Sequence, residues 1–316
     1  MYSLVIPVYR NEQSLPALLN AVADIDRALN GDFEAVFVVD GSPDRSYEIL
    51  REQLPGMSFA SQLLVLSRNF GSFAAIRSGL TAARGEFFAV MAADLQEPPE
   101  LALEFFKQLR NDEADIVVGT RDARNDPLFS RLASQLFWRA YRRLVNRDIP
   151  PGGVDVFACN RKFLDHLLLL DERNSSLVAL LFWLGFRRSV VPYSRRAREH
   201  GKSAWTFRRK LTYMLDSIFA FSDLPIRILL LIGMLGLGVA VLFGLIVVVL
   251  RIIGSVAVPG YAATIIMVMF FGGLNALGLG IIGAYLWRAY ANTQQRPLAV
   301  VMRSETFDAG QRRTKG

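Results

Sequence analysis

Residues 33–44 read FEAVFVVDGSPD and contain the pattern that decides the fold. The segment Phe33–Val39, apolar except for Glu34, predicts a buried strand, and a turn with an acidic side chain follows it at Asp40. Apolar residues at helical spacing predict a helix before this strand, over Ser14–Asn30, and a second helix is predicted after it, over Ser46–Gln53. A strand between two helices is the repeating unit of a parallel sheet covered by helices.

The same alternation continues in both directions along the chain. Further strands are predicted at Tyr2–Pro7, Leu63–Ser67, Phe87–Ala93 and Ile116–Thr120, and further helices at Phe73–Ala83 and Glu100–Asn111. The predicted fold class is therefore α/β, with a mostly parallel sheet. Binding groups in such folds lie beyond the carboxyl ends of the strands. The segments of interest are Pro7–Glu12, Asp40–Asp44, Ser67–Gly71, Asp94–Pro99 and Gly119–Arg121.

Two long uncharged stretches follow the soluble part. The first, Ile228–Leu250, would span roughly 35 Å as a helix, which exceeds a hydrocarbon core of about 30 Å. The second is Tyr261–Trp287, and Pro259-Gly260 breaks the chain between them. They predict a transmembrane helical hairpin. Five glycines of the second stretch are expected to let the helices approach closely: Gly272, Gly273, Gly278, Gly280 and Gly283.

The distribution of basic residues predicts the orientation of the hairpin. The link between the helices carries only Arg251, whereas six basic residues follow the second helix: Arg288, Arg296, Arg303, Arg312, Arg313 and Lys315. The positive-inside rule therefore places both termini and the soluble domain in the cytoplasm, at the inner membrane. The first ten residues have no basic stretch ahead of their short apolar run, so no signal peptide is expected.

These patterns divide the chain into four regions. Residues 1–205 form the soluble α/β domain, residues 206–225 an amphipathic helix lying in the membrane interface, residues 226–290 the hairpin, and residues 291–316 a cytosolic tail expected to be disordered.

Composition restricts the classes of function. The net charge is +7, and seven basic residues cluster between Arg195 and Lys210, just before the hairpin. That position favours anionic membrane lipids over nucleic acid as the partner. One cysteine excludes an intramolecular disulfide, and two histidines argue against a histidine-based metal cluster.

Four motifs in order, followed by the hairpin, carry a family resemblance: VIPVYRNE (5–12), DGSPDRS (40–46), LSRNFG (66–71) and ADLQEPPE (93–100). The chain resembles glycosyltransferase family 2, of GT-A fold, and more narrowly the polyprenyl-phosphate glycosyltransferases of the dolichyl-phosphate-mannose synthase and GtrB type. The resemblance implies transfer of a sugar from a UDP- or GDP-linked donor to a polyprenyl phosphate, with inversion at the anomeric carbon. The chain has no QxxRW motif, which argues against a processive polymerase.

The resemblance also implies roles for individual residues. The nucleoside pocket is implied to contain Pro7, Tyr9, Glu12 and Asp40. A divalent cation, Mg²⁺ or Mn²⁺, is implied at Asp94 and Gln96, where it stabilises the leaving diphosphate. The chain departs from the family at Val39 and Ala92, where acidic residues are usual.

The remaining implied roles concern the acceptor and the diphosphate. Arg121 and Arg131, with Ser134, are implied to meet the acceptor phosphate, and guanidinium groups are the preferred phosphate ligands. Asp155 is implied to orient that phosphate or act as a base. Arg198 and Ser203 match a loop over the diphosphate.

Other interpretations remain open at this level. The turns at Asp40 and at Ser67–Gly71 also suit plain turn and helix-cap chemistry, and Asp94 and Asp155 suit backbone capping. The changes at Val39 and Ala92 allow a non-catalytic homologue that binds nucleotide sugar or lipid for a partner enzyme. The glycine-rich helix faces permit a homo-oligomer.

Overall fold

In the computed structural model of the protein, the described residues are 1–121, 139, 142–143, 147–150, 153–172, 175–196, 217–253 and 260–310. The strands are β1 (Tyr2–Val8), β2 (Phe33–Val39), β3 (Ala60–Leu66), β4 (Phe87–Val90), β5 (Ile116–Arg121), β6 (Val156–Asn160), β7 (Arg188–Tyr193) and β8 (Val301–Phe307). The α-helices are α1 (Leu15–Ala28), α2 (Ser46–Gln53), α3 (Ser72–Ala82), α4 (Glu100–Arg110), α5 (Arg161–Leu169), α6 (Leu177–Trp183), α7 (Leu224–Ile252) and α8 (Tyr261–Thr293).

All eight strands belong to one sheet, in the order β7-β5-β6-β4-β1-β2-β3-β8. β1 pairs in parallel with β2 and β4, β2 with β3, and β5 with β7, whereas β6 and β8 run against their neighbours. Six strands therefore end at one edge of the sheet, and the reversed strand β6 begins there. The predicted α/β class with a mostly parallel sheet is confirmed.

The two faces of the sheet carry separate hydrophobic cores. On one face, Leu4, Ile6 and Phe37 pack with α1 and α4; on the other, Val5 and Val38 pack with α3 and α5. Neighbouring residues of a strand point to opposite faces, so strands buried on both faces become continuous apolar runs. This double burial explains why the largely apolar segment Phe33–Val39 predicted β2 correctly.

The two apolar stretches form long helices, α7 and α8, that contain apolar windows of 23 and 24 residues, Leu224–Ile246 and Phe270–Thr293. The windows have mean hydropathies of 2.7 and 1.4 and bury 0% and 6% of their residues, so their length and composition suit a membrane crossing. A Cβ added at Gly236 would lie 3.2 Å from the Phe271 ring, and one at Gly278 would lie 3.5 Å from Leu229. The other four glycines named for the interface have open space beside them, so the expectation holds for Gly278 alone.

The expected disorder of the tail, residues 291–316, is wrong for Val301–Phe307. This segment forms β8, which pairs antiparallel with the edge strand β3 from Ser61↔Phe307 to Leu66↔Val301. Side chains add to the pairing, because Glu305 accepts a hydrogen bond from the Tyr47 hydroxyl at 2.9 Å and forms an ion pair with Arg51 at 3.3 Å. The α/β domain therefore includes chain from both sides of the hairpin.

The predicted interfacial helix, residues 206–225, lies largely outside the described residues. Its described part is helical over 217–221. The helix is then interrupted for two residues before α7 begins at Leu224. The Phe219 ring lies 5.2 Å from the Tyr285 ring, and the Tyr285 hydroxyl donates to the carbonyl of Ser222 at 3.0 Å. Phe219 and Ser222 therefore contact the C-terminal half of α8.

Candidate active site

Three loops at the carboxyl edge of the sheet are held together by hydrogen bonds. The Ser42 hydroxyl accepts from the Arg10 amide at 2.7 Å and donates to Asp44 at 2.6 Å. Asp44 also accepts from the Glu12 amide at 3.1 Å. These contacts join the loop after β1 to the loop after β2. They lower the pKa of Asp44 below its ordinary value despite the opposing effect of burial, so it remains an acceptor at neutral pH.

Asp40 joins the third loop to the second. Its side chain is buried, and its two carboxylate oxygens accept hydrogen bonds from the amides of Phe70 and Gly71, at 2.7 Å and 2.9 Å. Burial raises the pKa of Asp40, while these amides and the charge of Arg68 oppose that rise. In this structure the carboxylate positions the Arg68–Gly71 loop, whereas the resemblance implied direct contact with the nucleoside.

The close approach of these loops depends on Gly41. Its φ is +56°, and an added Cβ would overlap the backbone of Arg68 and Asn69. Arg10 also has a positive φ, +56°, at the turn after β1. Among the residues implied for the nucleoside pocket, Tyr9 is exposed and Glu12 accepts from the Arg45 amide at 3.1 Å. Pro7 lies within β1, in register with Val38.

A second group of side chains lies beyond β4, β5 and β7. Gln96 is buried, and its amide contacts the Arg195 guanidinium and the carbonyl of Arg196, the latter at 3.4 Å. The Arg196 amide in turn donates to the Gln96 carbonyl at 2.9 Å. These contacts attach the chain after β7 to the turn that contains Asp94. The Asp94 carboxylate accepts a weak hydrogen bond from the backbone N–H of Gln96 at 3.4 Å.

Asp155 reaches the same edge because it precedes the reversed strand β6. The Tyr193 hydroxyl donates to Asp155 Oδ2 at 2.9 Å, and the Arg121 guanidinium lies 3.5 Å from the same oxygen. Burial and the nearby charges of Asp155 and Glu97 raise the pKa of Tyr193, so the phenol remains a proton donor. Arg121 and Asp155, both predicted from the sequence, are therefore in contact.

Glu97 is a buried acid that sequence reasoning mentioned without giving it a role. It is 3% exposed, and its Oε2 has no hydrogen-bond partner within the described part of the chain. Burial, with the negative charges of Asp94 and Asp155, raises the pKa of Glu97 to about 7 against the pull of Arg195. The motif ADLQEPPE gave the position of this carboxyl but not its burial.

Two further groups that sequence reasoning missed, Tyr193 and Arg195, come from β7 and the segment after it. β7 was not predicted, and Tyr193 has no motif around it to draw attention to its hydroxyl. The predicted residues Arg131, Ser134, Arg198 and Ser203 lie outside the described residues. Among the described residues, no group of three or more acidic, histidine or cysteine side chains is arranged to hold a metal ion.

Comparison with known proteins decides the family. Residues 3–168 match the model of glycosyl transferase family 2. The chain belongs to this family. Over 96% of its length it is 33% identical to undecaprenyl-phosphate 4-deoxy-4-formamido-L-arabinose transferase of Pseudomonas fluorescens, covering 91% of that protein. It is 32% identical to the uncharacterized glycosyltransferase YkcC of Bacillus subtilis, over 96% of this chain and 94% of that one.

A third relative is the prophage bactoprenol glucosyl transferase homolog of Escherichia coli, 28% identical over 95% of this chain and 98% of that protein. The family resemblance inferred from the motifs is thus confirmed, and the protein is a glycosyltransferase. The aligned lengths are too great to omit the hairpin, so the likeness extends beyond the α/β domain.

Proposed function

We propose that this glycosyltransferase moves a sugar from a nucleotide diphosphate donor to a polyprenyl phosphate at the cytoplasmic face of the membrane. One observation carries the proposal. The strand-end groups Asp94, Arg121 and Asp155 belong to the same sheet as β8, which follows an apolar hairpin. The sheet contains strands from before and after the hairpin, so the hairpin would hold the site close to the membrane. This position suits a lipid acceptor whose polyprenyl chain stays in the bilayer. Relatives named for undecaprenyl phosphate and bactoprenol support this acceptor class.

The pairing of β8 with β3 bears on orientation. If α7 and α8 cross the bilayer, the segments before α7 and after α8 lie on the same side of the membrane, because β3 and β8 are strands of one sheet. Both termini then lie on the side where the nucleotide sugar is made, the cytoplasm. Labelling of cysteines introduced singly in the tail and in the link would test this: a membrane-impermeant reagent added to intact cells should reach only the link.

The loops after β1, β2 and β3 are proposed to form the donor pocket. Tyr9 supplies an exposed ring and Glu12 a half-buried carboxylate, and Asp40 acts through the loop that it holds. The acceptor phosphate is proposed to lie at Arg121, whose guanidinium is oriented by Asp155. An acceptor oxygen attacks the anomeric carbon as the bond to the nucleoside diphosphate breaks, which inverts that carbon. A phosphate monoester has a second pKa of about 6, so the acceptor needs little help from a base.

The residues present fit a divalent cation only with help from the substrate. Asp94 supplies one carboxylate, Ala92 supplies none, and the Gln96 amide contacts Arg195. Mg²⁺ in such sites is commonly held by one or two carboxylates together with substrate phosphates. When bound, the ion would stabilise the charge of the leaving diphosphate. Asp94 would be its protein ligand, with Gln96 beside it.

Several parts of the proposal lie on residues outside the described ranges. Arg131 and Ser134 are proposed at the acceptor phosphate, and Arg198 and Ser203 at the diphosphate. The basic residues from Arg198 to Lys210, also outside these ranges, are proposed to bind anionic lipids, whereas the described Arg195 contacts Gln96.

A transfer assay tests the proposal. Protein purified in detergent would receive undecaprenyl phosphate and a panel of UDP- and GDP-linked sugars, with Mg²⁺, Mn²⁺ or a chelator. Glycolipid formation that is lost in Asp155→Asn and retained in Asp165→Asn, an exposed acid on α5, would support it. Donor binding without product from any sugar would instead favour the non-catalytic homologue.

A further inference from the structure

A cavity of about 640 Å³ lies between the end of α8 and the loop after β3. Its volume is within the range of small-molecule sites, about 300–1,000 Å³. Two elements far apart in sequence form its walls. Nine residues line it: Arg68, Phe70, Trp287, Tyr290, Ala291, Gln294, Arg296, Pro297 and Leu298.

The depth of this cavity relative to the bilayer follows from α8. Its apolar window ends at Thr293, so Trp287 and Tyr290 lie in the last two turns. Their ring centroids are 5.9 Å apart, and the exposed fraction is 65% for Trp287 and 54% for Tyr290. Exposed tryptophan and tyrosine at the end of an apolar helix are typical of the headgroup layer. The cavity therefore opens at the level where phospholipid headgroups lie.

The charge of the cavity wall is positive. Arg68 and Arg296 are among its lining residues, and no acidic residue is. The Arg68 guanidinium lies over the Phe70 ring at 4.0 Å, which holds it at the wall. Arginine is the side chain best suited to phosphate, because its planar donors match phosphate oxygens in pairs. Gln294 adds an amide that can donate to a headgroup hydroxyl or phosphate.

The cavity is distinct from the proposed acceptor site. Arg68 follows β3 and Arg121 ends β5, and five strand-to-strand steps separate these strands in the sheet order. At about 4.8 Å per step, the two sites are roughly 24 Å apart. A single phosphate cannot contact both arginines, so a phosphate in this cavity is not the acceptor phosphate proposed at Arg121.

We propose that this cavity binds the headgroup of an anionic glycerophospholipid of the cytoplasmic leaflet, with the phosphate at Arg68 and Arg296 and the acyl chains along the exposed face of α8. The inference rests on the proposed function only in requiring that the hairpin crosses the membrane. Since Arg68 belongs to the loop held by Asp40, a bound lipid would connect the state of the membrane to the donor side of the site.

Photo-cross-linking from inside the cavity tests the proposal. The full chain, with Leu298 replaced by benzoylphenylalanine, would be placed in phosphatidylcholine vesicles containing a minor fraction of phosphatidylglycerol. Cross-links to phosphatidylglycerol should exceed its share of the lipid. Arg296→Gln should reduce this preference roughly fivefold, which corresponds to about 1 kcal/mol for one basic residue near a membrane surface.

Arg227→Gln is the matched control. Arg227 lies near the start of α7, outside the cavity lining, where it forms an exposed ion pair with Asp223 at 2.8 Å. This change removes the same charge near the same membrane face and should leave the preference intact. Equal losses in both variants would overturn the proposal in favour of general surface attraction. Cross-links that follow lipid abundance would overturn it as well.

Two further arms separate this inference from the proposed function. Vesicles with undecaprenyl phosphate in place of phosphatidylglycerol should give no preferential cross-link, and a strong one would show that the cavity holds the acceptor instead. Transfer activity in phosphatidylcholine vesicles with donor and acceptor tests the enzyme alone. Activity there without any preference for phosphatidylglycerol would leave the proposed function standing and reject the second lipid site.

Discussion

The hydroxyl of Tyr193 donates a hydrogen bond of 2.9 Å to Oδ2 of Asp155, the same oxygen that lies 3.5 Å from the Arg121 guanidinium. Three strands meet in this contact, because Tyr193 ends β7, Arg121 ends β5 and Asp155 precedes β6. Asp155 thus has a neutral donor on one side and a cation on the other. The phenol fixes the rotamer of the carboxylate, and the carboxylate orients the guanidinium.

Tyr193→Phe should therefore lower kcat without weakening the binding of the nucleotide sugar. A hydrogen bond to a charged group contributes about 1.5–3 kcal/mol, so its loss at a positioning contact predicts a roughly ten- to hundredfold lower kcat. The KM for the nucleotide sugar should change little, because the proposed donor loops follow β1, β2 and β3, several strands away from β7 along the same edge of the sheet. Initial rates at saturating acceptor would measure both constants.

Tyr47→Phe controls for the loss of a tyrosine hydroxyl. Tyr47 also donates to a carboxylate, that of Glu305, at 2.9 Å, but this pair lies between α2 and β8. Its kcat should match that of the wild-type protein. If the two variants lose activity equally, the Tyr193 contact has only a structural role.

Asp40→Asn should raise the KM for the donor. Asparagine keeps one acceptor oxygen but presents an amide to the other backbone N–H, so either Phe70 or Gly71 loses its partner. A buried donor without a partner costs about 1–3 kcal/mol, which loosens the loop proposed to form the donor pocket. Binding of the nucleotide sugar to the purified protein would be followed by calorimetry, with roughly ten- to hundredfold weaker binding expected.

Asp26→Asn is the corresponding control. Asp26 is also a buried acid, but it lies on α1 and accepts from Ser58 at 3.4 Å, far from the loops at the strand ends. Donor affinity should be retained in this variant. An unchanged affinity in Asp40→Asn would contradict the positioning role assigned to its carboxylate.

Sequence reasoning predicted the first five strands along the chain, β1 to β5, and missed β6, β7 and β8. β2 was predicted at its observed bounds, because a strand buried on both faces is apolar at nearly every position, here at all but Glu34. β7 was missed because its residues before Tyr193 are partly buried or exposed and include Arg188 and Pro192. β8 was missed for a similar reason: six of its seven residues are not buried, so its polar sequence suited a tail.

The site shows the same division. Motifs identified Asp40, Asp94 and Asp155, since each lies at the end or start of a predictable strand or turn. They could not show that the carboxylate of Asp40 is used by backbone amides, because that contact depends on Gly41 allowing β2 and β3 loops to meet. Nor could they show the Tyr193 contact, which needs the order of β5, β6 and β7 in the sheet.

Gly41→Ala should destabilise the protein more than the same change at Gly31. Both glycines have a positive φ, +56° and +76°, so each substitution costs about 1–2 kcal/mol in backbone conformation. At Gly31 nothing lies within 4 Å of an added Cβ, whereas at Gly41 it overlaps the backbone after β3. Thermal unfolding in detergent should show a lower Tm for Gly41→Ala than for Gly31→Ala. Equal shifts would mean that the two loops separate at little cost.

The Asp115–Arg187 pair predicts how stability depends on acid. Asp115 precedes β5 and Arg187 precedes β7, and the guanidinium donates to both carboxylate oxygens at 3.1 Å. These hydrogen bonds, with one from Asn160 at 2.9 Å, lower the pKa of Asp115 below its ordinary 3.8. A lowered folded-state pKa contributes stability above the unfolded value, and that contribution is lost as the pH falls through the folded one.

Asp115→Asn should therefore lower the Tm by a few degrees at neutral pH, and the difference from the wild-type protein should shrink as the pH falls below about 4. Asp24→Asn is the control, because Asp24 and Arg27 form an exposed pair on α1, where ion pairs contribute little at any pH. Thermal melts of the three proteins in one detergent across this pH range measure both effects. A difference for Asp115→Asn that stays constant into acid would show that its packing matters rather than its charge, and would reject the ion pair as the connection between β5 and β7.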